Sequence, residues 1–311
     1  MDHLLSILIA ILGLLGLCYG ESVMEYGAVG DGITDDTSID GEMIAESDPK
    51  KWQKPENVWF IPWLIFSQVE GLVIAGRGLL DGQGKELQQA CTNGSQNVTI
   101  KDLKITSPEA SPNTDGVHIT SSSAISITHS DIATGDDCVS IGDEVKNVNV
   151  TFLKCGPGHG VSVGSLGKGG SEVAVENIRV WHVNFTRTTN GARIKTWPGA
   201  TGHARGIEFF DIRFDSVRNP IIIEQFYGCK THCPNTTKGV HIDNVRYMNM
   251  SGTSTTKVAI NFKCSGESVP CSNIFMKDID ISPANGIDSV SSNCTFAQGS
   301  VQGIIRPSSC L

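Results

Sequence analysis

The sequence predicts an all-β fold, most simply a right-handed parallel β-helix, from three observations. Short apolar strands recur at separations of 23 to 34 residues from residue 97 onward. No stretch after residue 22 has the 3.6-residue periodicity of a long amphipathic helix. The 311-residue chain contains 34 Gly and only 6% aromatic residues, which favours strands and tight turns. A solenoid of stacked coils accounts for all three observations.

Each repeat opens on a strand of alternating apolar residues. These strands begin at Val98, Ile125, Val148, Val173, Ile207, Val240 and Ile274. A second strand follows in most repeats, as at Val117, Val139 and Val161. One coil cannot bury its apolar face alone, so we expect coils to stack at about 4.8 Å. A leucine-rich-repeat horseshoe would show regular Leu spacing, and a β-sandwich would not explain why Asn precedes so many strands.

The first twenty residues have the pattern of a secretory signal. Leu4–Leu17 is almost unbroken apolar sequence, and Cys18-Tyr19-Gly20 follows with small residues near a cleavage point. An uncleaved membrane anchor is the alternative, but the apolar run is shorter than the ~20 residues that a span needs. We therefore expect a secreted, extracellular protein, no membrane association after cleavage, and a single β-helix domain over residues 21–311.

Secretion makes disulfide bonds and glycosylation expected features. Ten Cys are present, and removal of the signal leaves nine. Local spacing predicts the pairs Cys138–Cys155, Cys229–Cys233, Cys264–Cys271 and Cys294–Cys310, which leaves Cys91 without a partner. Glycosylation sequons occur at Asn93, Asn97, Asn149, Asn184, Asn235, Asn249 and Asn293.

The overall charge excludes one class of partner and restricts another. The formal net charge is −9 and the pI is about 5.3. The basic face that nucleic acid requires is absent, so no nucleic-acid partner is expected. A polyanionic ligand would need a local cationic cleft, because the field of the whole protein repels it.

Four short motifs follow one another within the repeats. They are Asn113-Thr114-Asp115-Gly116, Gly135-Asp136-Asp137-Cys138, Gly158-His159-Gly160 and Arg193-Ile194-Lys195. Taken singly, each motif is an ordinary turn, loop or charged strand. Their spacing is more informative, because the first three lie about one coil apart and the fourth lies about one longer coil further on.

The spacing predicts that acids and cations converge on one face of the solenoid. Asp115, Asp136 and His159 are separated by 21 and 23 residues, so we expect them to stack on adjacent coils. Arg193 and Lys195 are two residues apart and share one strand face. Clustered carboxylates raise one another's pKa, and nearby cations moderate that effect. The remaining upward shift suits a general acid.

These motifs, in this order and at these spacings, resemble those of the polygalacturonases, the family 28 glycoside hydrolases. Gly30-Asp31-Gly32-Ile33-Thr34-Asp35-Asp36 is similar to the N-terminal sequence of the plant members. The resemblance is densest over Ser111–Pro198. It implies a right-handed parallel β-helix in the cell wall that hydrolyses α-1,4 linkages of polygalacturonate in pectin, with inversion at the anomeric carbon. It implies no metal and no organic cofactor, and a monomer is expected.

The resemblance also implies a role for each catalytic residue. Asp136 would be the general acid, and Asp115 and Asp137 would hold and activate the attacking water. An inverting pair of carboxyl groups is ~6.5–9.5 Å apart, which leaves room for that water. His159 would support the protonation state of the acid or orient the site.

Further residues would bind substrate or brace the site. Arg193 and Lys195 would bind the carboxylates of the substrate, with Arg suited to a bidentate contact. Asn113 and Tyr227 would lie on the substrate side of the cleft. Because they match the cysteines of the family, Cys138 and Cys155 would brace the site with a disulfide bond.

The N-terminal third departs from the family pattern. Little sequence separates Asp36 from Trp52, and a coil that the family has between Gly84 and Asn97 is missing. The hypothesis is a shortened variant, or a sequence that lacks exons, with truncated N-terminal coils. The alternative function is therefore a truncated, catalytically inactive pectin-binding β-helix protein. A pectate lyase would need Ca²⁺-ligating carboxylates and an arginine base, which these motifs argue against. Endo and exo action both remain open.

Overall fold

A computed structural model describes residues 42–44, 61–82, 87–229, 233, 238–266 and 268–311. In these ranges the regular structure is β-strand, apart from a 3₁₀ turn at Lys168–Gly170. The proposed signal at residues 1–20, the Gly30–Asp36 motif and the segment around Trp52 lie outside the described residues.

The described residues form twenty-two β-strands. In chain order they are β1 Glu42–Ile44, β2 Ile61–Ser67, β3 Val73–Ile74, β4 Leu79–Asp81, β5 Leu87–Asn93, β6 Thr99–Lys101, β7 Lys104–Thr106, β8 Val117–Thr120, β9 Ser123–Thr128, β10 Asp131–Ala133, β11 Val139–Ile141, β12 Val145–Cys155, β13 Val161–Leu166, β14 Glu172–Thr186, β15 Asn190–Thr196, β16 Thr201–Val217, β17 Asn219–Glu224, β18 His241–Ser254, β19 Val258–Lys263, β20 Cys271–Pro283, β21 Ser291–Thr295 and β22 Ala297–Arg306.

Two parallel sheets run the length of the described chain. Sheet 1 has the order β1-β4-β7-β10-β12-β14-β16-β18-β20-β22, with β3, β6 and β9 alongside. Sheet 2 has the order β2-β5-β8-β11-β13-β15-β17-β19-β21. Each coil thus adds to both sheets and pairs in parallel with the coil before it, and such crossovers are right-handed. The predicted right-handed parallel β-helix is confirmed, and the repeat units of the sequence are its coils.

Alternation along the strands of sheet 2 separates the core from the outer face. Val117, Val139, Val161, Ala192, Ile221 and Ile260 are in register and fully buried. Burying one such Val or Ile side chain contributes about 1.5–3 kcal/mol. The residue after each of these points to the opposite side of the sheet. On the outer face of sheet 2, side chains at the same register position of neighbouring strands therefore lie in a column.

The corners of the coils explain why Asn precedes so many strands. Asn147, Asn177, Asn244 and Asn273 all adopt a positive φ near +51° to +59°. Asn tolerates this left-handed conformation better than most residues because its short polar side chain bonds locally. The Asn177 side chain also donates to that of Asn147 on the previous coil at 3.0 Å. Polar side chains thus contact one another from coil to coil at these corners.

A stack of aromatic rings fills part of the interior in the later coils. The Tyr247 ring stacks on Phe209 at 5.4 Å and on Phe262 at 5.6 Å between ring centroids. The Tyr247 hydroxyl is buried and has no hydrogen-bond partner among the described residues. A buried hydroxyl without a partner costs about 1–3 kcal/mol.

Replacing Tyr247 with Phe is expected to raise the free energy of unfolding by about 1 kcal/mol, because it removes that cost while keeping the ring stack. Urea unfolding of the two proteins measures the difference. A loss of more than about 1 kcal/mol would contradict this account of the core.

Four disulfide bonds confirm the cysteine pairing. They join Cys138 to Cys155, Cys229 to Cys233, Cys264 to Cys271, and Cys294 to Cys310. The side chain of Cys91 lies outside the described residues. Over the ranges that the structure covers, no helix is both long and apolar enough for a membrane crossing.

Candidate active site

The motif residues gather where the chain enters three neighbouring strands of sheet 2. Asp115, Asp137 and His159 each lie two residues before the first residue of β8, β11 and β13, and these strands pair in register. Asp137 is therefore the carboxylate in register with Asp115. Asp136 lies one residue earlier and contacts His159 on the next coil, as the spacing predicts.

Glycine residues shape the turns that present these acids. A Cβ atom at Gly135 would lie 1.9 Å from the backbone oxygen of Ser111. Gly160 has a φ of +90°, and a Cβ there would lie 2.2 Å from the backbone oxygen of Asn190. Neither position accepts a side chain without moving backbone. Gly135 comes directly before Asp136, and the turn it allows lets the consecutive residues Asp136 and Asp137 both reach the same site.

Asp136 has one carboxylate oxygen held and the other open. Its Oδ1 atom lies 2.8 Å from Nδ1 of His159 and accepts the backbone N–H of Asp137 at 2.8 Å. No hydrogen bond to Oδ2 occurs among the described residues. Two donors on Oδ1 leave Oδ2 as the atom that can carry a proton toward a ligand.

Asp137 is the most enclosed of the acids, with a side chain that is 1% exposed. Its Oδ1 accepts hydrogen bonds from Ser162 at 2.8 Å and from Arg193 at 2.5 Å, and its Oδ2 accepts one from Lys195 at 2.8 Å. Burial alone would raise the pKa of this carboxyl. Arg193 and Lys195 outweigh burial and hold the pKa below its usual value, so Asp137 is ionised.

Asp115 differs from Asp137 although both are buried. Its Oδ2 atom accepts a hydrogen bond from the Ser140 hydroxyl at 2.5 Å. Burial, followed by the negative charges of Asp136 and Asp137, raises the pKa of Asp115 to about 8. Lys195 and the Ser140 hydrogen bond oppose that shift only in part. The upward pKa shift that the sequence predicts for this cluster thus falls on Asp115.

Replacing Asp115 with Asn is expected to stabilise the protein, and more so at high pH. The folded carboxyl keeps its proton up to about pH 8, whereas the unfolded chain releases it near its ordinary pKa of 3.8. As the pH rises from 3.8 to 8, the free energy of unfolding of the unmodified protein therefore decreases, whereas that of the variant keeps this contribution. We expect a gain of a few kcal/mol at pH 8 and little gain at pH 4, measured by urea unfolding. An equal effect at both pH values would contradict the raised pKa.

Three of the predicted catalytic groups lie close together. A carboxylate oxygen of Asp136, one of Asp137 and a ring nitrogen of His159 all lie within 4.8 Å of one another. The ~6.5–9.5 Å expected for an inverting pair concerns the acid and the base, and for Asp136 and Asp115 it stays a prediction. The pair is close because the two residues are adjacent in the chain and Asp137 is held by two cations. These cations also make the trio a poor site for a metal ion, since they already neutralise Asp137.

The predicted substrate-binding residues lie on the same outer face or beside it. Lys195 lies at 4.9 Å from the centre of the Tyr227 ring, which contacts Trp197 edge-on at 5.3 Å. Asn113 is exposed and adopts a φ of +53° two residues before Asp115. Arg193 and Lys195 share one face of β15 as predicted, but both bind Asp137, which the sequence does not indicate.

Four contacting residues were missed from the sequence. They are His118, Ser140, Ser162 and Trp197. His118, Ser140, Ser162 and Arg193 are in register across β8, β11, β13 and β15. The signal that finds the first three is strand alternation, because each follows the buried Val of its strand.

The disulfide between Cys138 and Cys155 lies directly beside the acids. Cys138 follows Asp137 in the chain, and Cys155 is the last residue of β12. The bond therefore ties the turn that carries both acids to the next coil. This agrees with the predicted bracing role.

Comparison with known proteins places the chain in a family. The sequence profile of the glycosyl hydrolases family 28 matches residues 86–303, about two thirds of the chain. This chain belongs to glycoside hydrolase family 28. It is similar to a polygalacturonase of Prunus persica, with 37% identity over 88% of this chain and 77% of the relative. It is also 36% identical to a probable polygalacturonase of Arabidopsis thaliana, over 85% of this chain and 74% of the relative.

The structural comparison agrees with the family 28 fold. An endo-xylogalacturonan hydrolase of Aspergillus tubingensis has a TM-score of 0.67 and 24% identity, over 78% of this chain and 68% of that one. The alignment with the Arabidopsis relative runs over 337 residues, more than the 311 in this chain. It must contain gaps in this chain, which supports the expectation that this family 28 member is shorter than its relatives.

Proposed function

We propose that this family 28 glycoside hydrolase is a polygalacturonase that cleaves α-1,4 linkages between galacturonates in pectin by acid–base catalysis with inversion. The carrying observation is a convergence of three carboxylates, one imidazole and two cations on one outer face of the β-helix. The polygalacturonase of Prunus persica and the probable polygalacturonase of Arabidopsis thaliana support the substrate, since both are relatives over most of the chain.

Asp136 is the general acid in this proposal. His159 Nδ1–H and the backbone N–H of Asp137 donate to Oδ1, so the proton resides on Oδ2. From there it passes to the glycosidic oxygen as the bond to the anomeric carbon breaks. His159 keeps the carboxyl oriented, because it lies on the opposite oxygen from the transferred proton.

Asp115 and Asp137 hold the attacking water. Ser162 and Arg193 both donate to Asp137 Oδ1, whereas among the described residues Oδ2 accepts only from Lys195 and can accept one more hydrogen bond. Asp115 takes the proton from this water in the fraction of molecules in which it is ionised, because a carboxylate with a raised pKa is then the stronger base. The water therefore lies on the Asp115 side of the acid pair, not between Asp136 and Asp137.

A covalent, retaining route is disfavoured despite the short separation of Asp136 and Asp137. A retaining enzyme needs a carboxylate that can attack the anomeric carbon. The Asp137 side chain is 1% exposed and is bound by Arg193, Lys195 and Ser162. If Asp137 moved to attack a sugar, the buried cations Arg193 and Lys195 would lose their carboxylate partner, which is costly.

The cations also provide the local positive site that an acidic polymer requires. Arg193 uses Nε for Ser162 and one terminal nitrogen for Asp137, which leaves further N–H groups for a substrate carboxylate. Lys195 has three N–H donors and spends one on Asp137. Tyr227 and Asn113 complete the substrate side. The protein works in this proposal as a secreted, glycosylated monomer in the cell wall, without metal or cofactor.

The test uses the purified full chain with polygalacturonate. We expect new reducing ends without a rise in the ultraviolet absorbance of unsaturated sugars. A neutral α-1,4-glucan serves as the control substrate and should release nothing. Absorbance that rises together with reducing ends would show elimination, and folded protein that binds polygalacturonate but releases nothing would make it a pectin-binding protein.

A further inference from the structure

A hydrogen-bonded chain runs from Asp115 to a histidine that the catalytic proposal does not use. The Ser140 hydroxyl donates to Asp115 Oδ2 at 2.5 Å, and His118 Nδ1 lies 2.7 Å from the same hydroxyl. Ser140 is 2% exposed, and the His118 side chain is 20% exposed. Direct contact between His118 and Asp115 is looser, at 4.0 Å. Ser140 is thus the link between the two.

We propose that Ser140 and His118 are positioning residues that hold Asp115 ready to accept a proton from the attacking water. The inference rests on the proposed role of Asp115 as the base. It adds two residues to the site. They orient the Asp115 carboxylate and favour its ionised form.

The single proton of the Ser140 hydroxyl fixes which group donates in each of its two hydrogen bonds. Ser140 has one proton, and it is spent on Asp115 when Asp115 is ionised. His118 must then donate its Nδ1–H to the Ser140 oxygen, which makes the neutral Nδ1–H tautomer the matching state. Asp115 Oδ2 is in this way kept as the acceptor of the Ser140 hydrogen bond.

The surroundings of His118 favour this neutral state. Among the described residues, the groups that act on it include Asp115 from its own turn, Ser140 on β11, Asp137 before β11 and Lys195 on β15. On β5 the residue in register with it is Cys91. Burial and the charge of Lys195 lower the pKa of His118 to about 4, against the opposing charge of Asp137. His118 is therefore a neutral donor above about pH 4.

The consequence is a measurable shift in the pH dependence of activity. The active form needs Asp115 ionised, and the Ser140 hydrogen bond favours that form. Removing it with Ser140→Ala should move the acidic limb of kcat/KM on polygalacturonate upward by roughly 1–2 pH units. His118→Phe should move the limb in the same direction, because Ser140 then loses the donor that orients it. His118→Asn places an amide N–H near the position of Nδ1–H and should restore the limb.

The control variant is Ser130→Ala. Ser130 is also buried and bonds backbone groups of Leu103 and Thr128, away from the acids. It should lower the melting temperature and leave the pH profile unchanged. If Ser140→Ala does not fold, the His118→Phe and His118→Asn pair decides the question on a partly exposed side chain.

An activity loss that is equal at every pH in Ser140→Ala and His118→Phe would overturn the proposal and leave both residues as packing only. Asp115→Asn separates this failure from that of the proposed function. If Asp115→Asn stays active, the role of Asp115 itself is wrong. If it is inactive while the limb of Ser140→Ala is unmoved, the base stands and only the positioning role of Ser140 and His118 is refuted.

Discussion

Replacing Asp136 with Asn is expected to lower kcat on polygalacturonate by about 10³-fold or more, because positioned general acids contribute 10²–10⁴-fold. The amide oxygen of Asn still accepts the Asp137 N–H and the His159 Nδ1–H, so the turn keeps its bonds. The amide nitrogen that replaces Oδ2 cannot protonate a leaving oxygen. Reducing-end release measures the loss, and the melting temperature should remain nearly unchanged.

Asp131→Asn is the matched control for this variant. Asp131 lies five residues earlier, is exposed, and pairs with Lys154 on the next coil at 3.3 Å. Activity should be unchanged, because exposed pairs of this kind contribute little. If Asp136→Asn kept more than a tenth of the activity, the assignment of the acid would be wrong.

Replacing Asp137 with Ala is expected to have the largest effect on stability, a loss of about 3–5 kcal/mol in the free energy of unfolding. Arg193 and Lys195 are 8% and 5% exposed, and Asp137 is the carboxylate that both bind. Its removal leaves two buried positive charges without that partner. Urea unfolding at neutral pH measures the loss.

A triple variant tests whether the stranded charges cause this loss. Asp137→Ala combined with Arg193→Met and Lys195→Met should recover much of the stability, because replacing a buried ionic group with apolar residues is often neutral or stabilising. Activity should not return. Equal instability in the single and triple variants would show that packing, and not charge, is responsible. The control is Asp280→Ala, which breaks an exposed pair with Arg306. Its free energy of unfolding should stay close to that of the unmodified protein.

The repeat architecture could be predicted because each coil carries the same physical signal. Apolar alternation places Val117, Val139 and Val161 in the core, and the structure stacks them in register. The left-handed Asn at the corners follows from the same repetition. The disulfide pairs were predictable because each joins residues that are close in sequence, from 4 to 17 residues apart.

The electrostatic arrangement of the site could not be predicted in the same way. Sequence spacing brings Asp136 and Asp137 to one site, but it does not reveal that Asp137 is the one bound by both cations. It therefore cannot assign the lowered pKa to Asp137 and the raised one to Asp115. Ser140 and His118 look like ordinary strand residues until the register places them beside Asp115. Contacts between coils decide these features, and a single motif does not contain them.

The most direct test of the proposed mechanism is the configuration of the first sugar released from polygalacturonate, followed by NMR before mutarotation is complete. Water held by Asp115 and Asp137 attacks opposite the bond that Asp136 protonates, so the α linkage should yield the β anomer first. Appearance of the α anomer first would show retention. It would contradict the direct attack by water. It would also contradict the claim that Asp137 stays bound to Arg193 and Lys195 and does not attack the sugar.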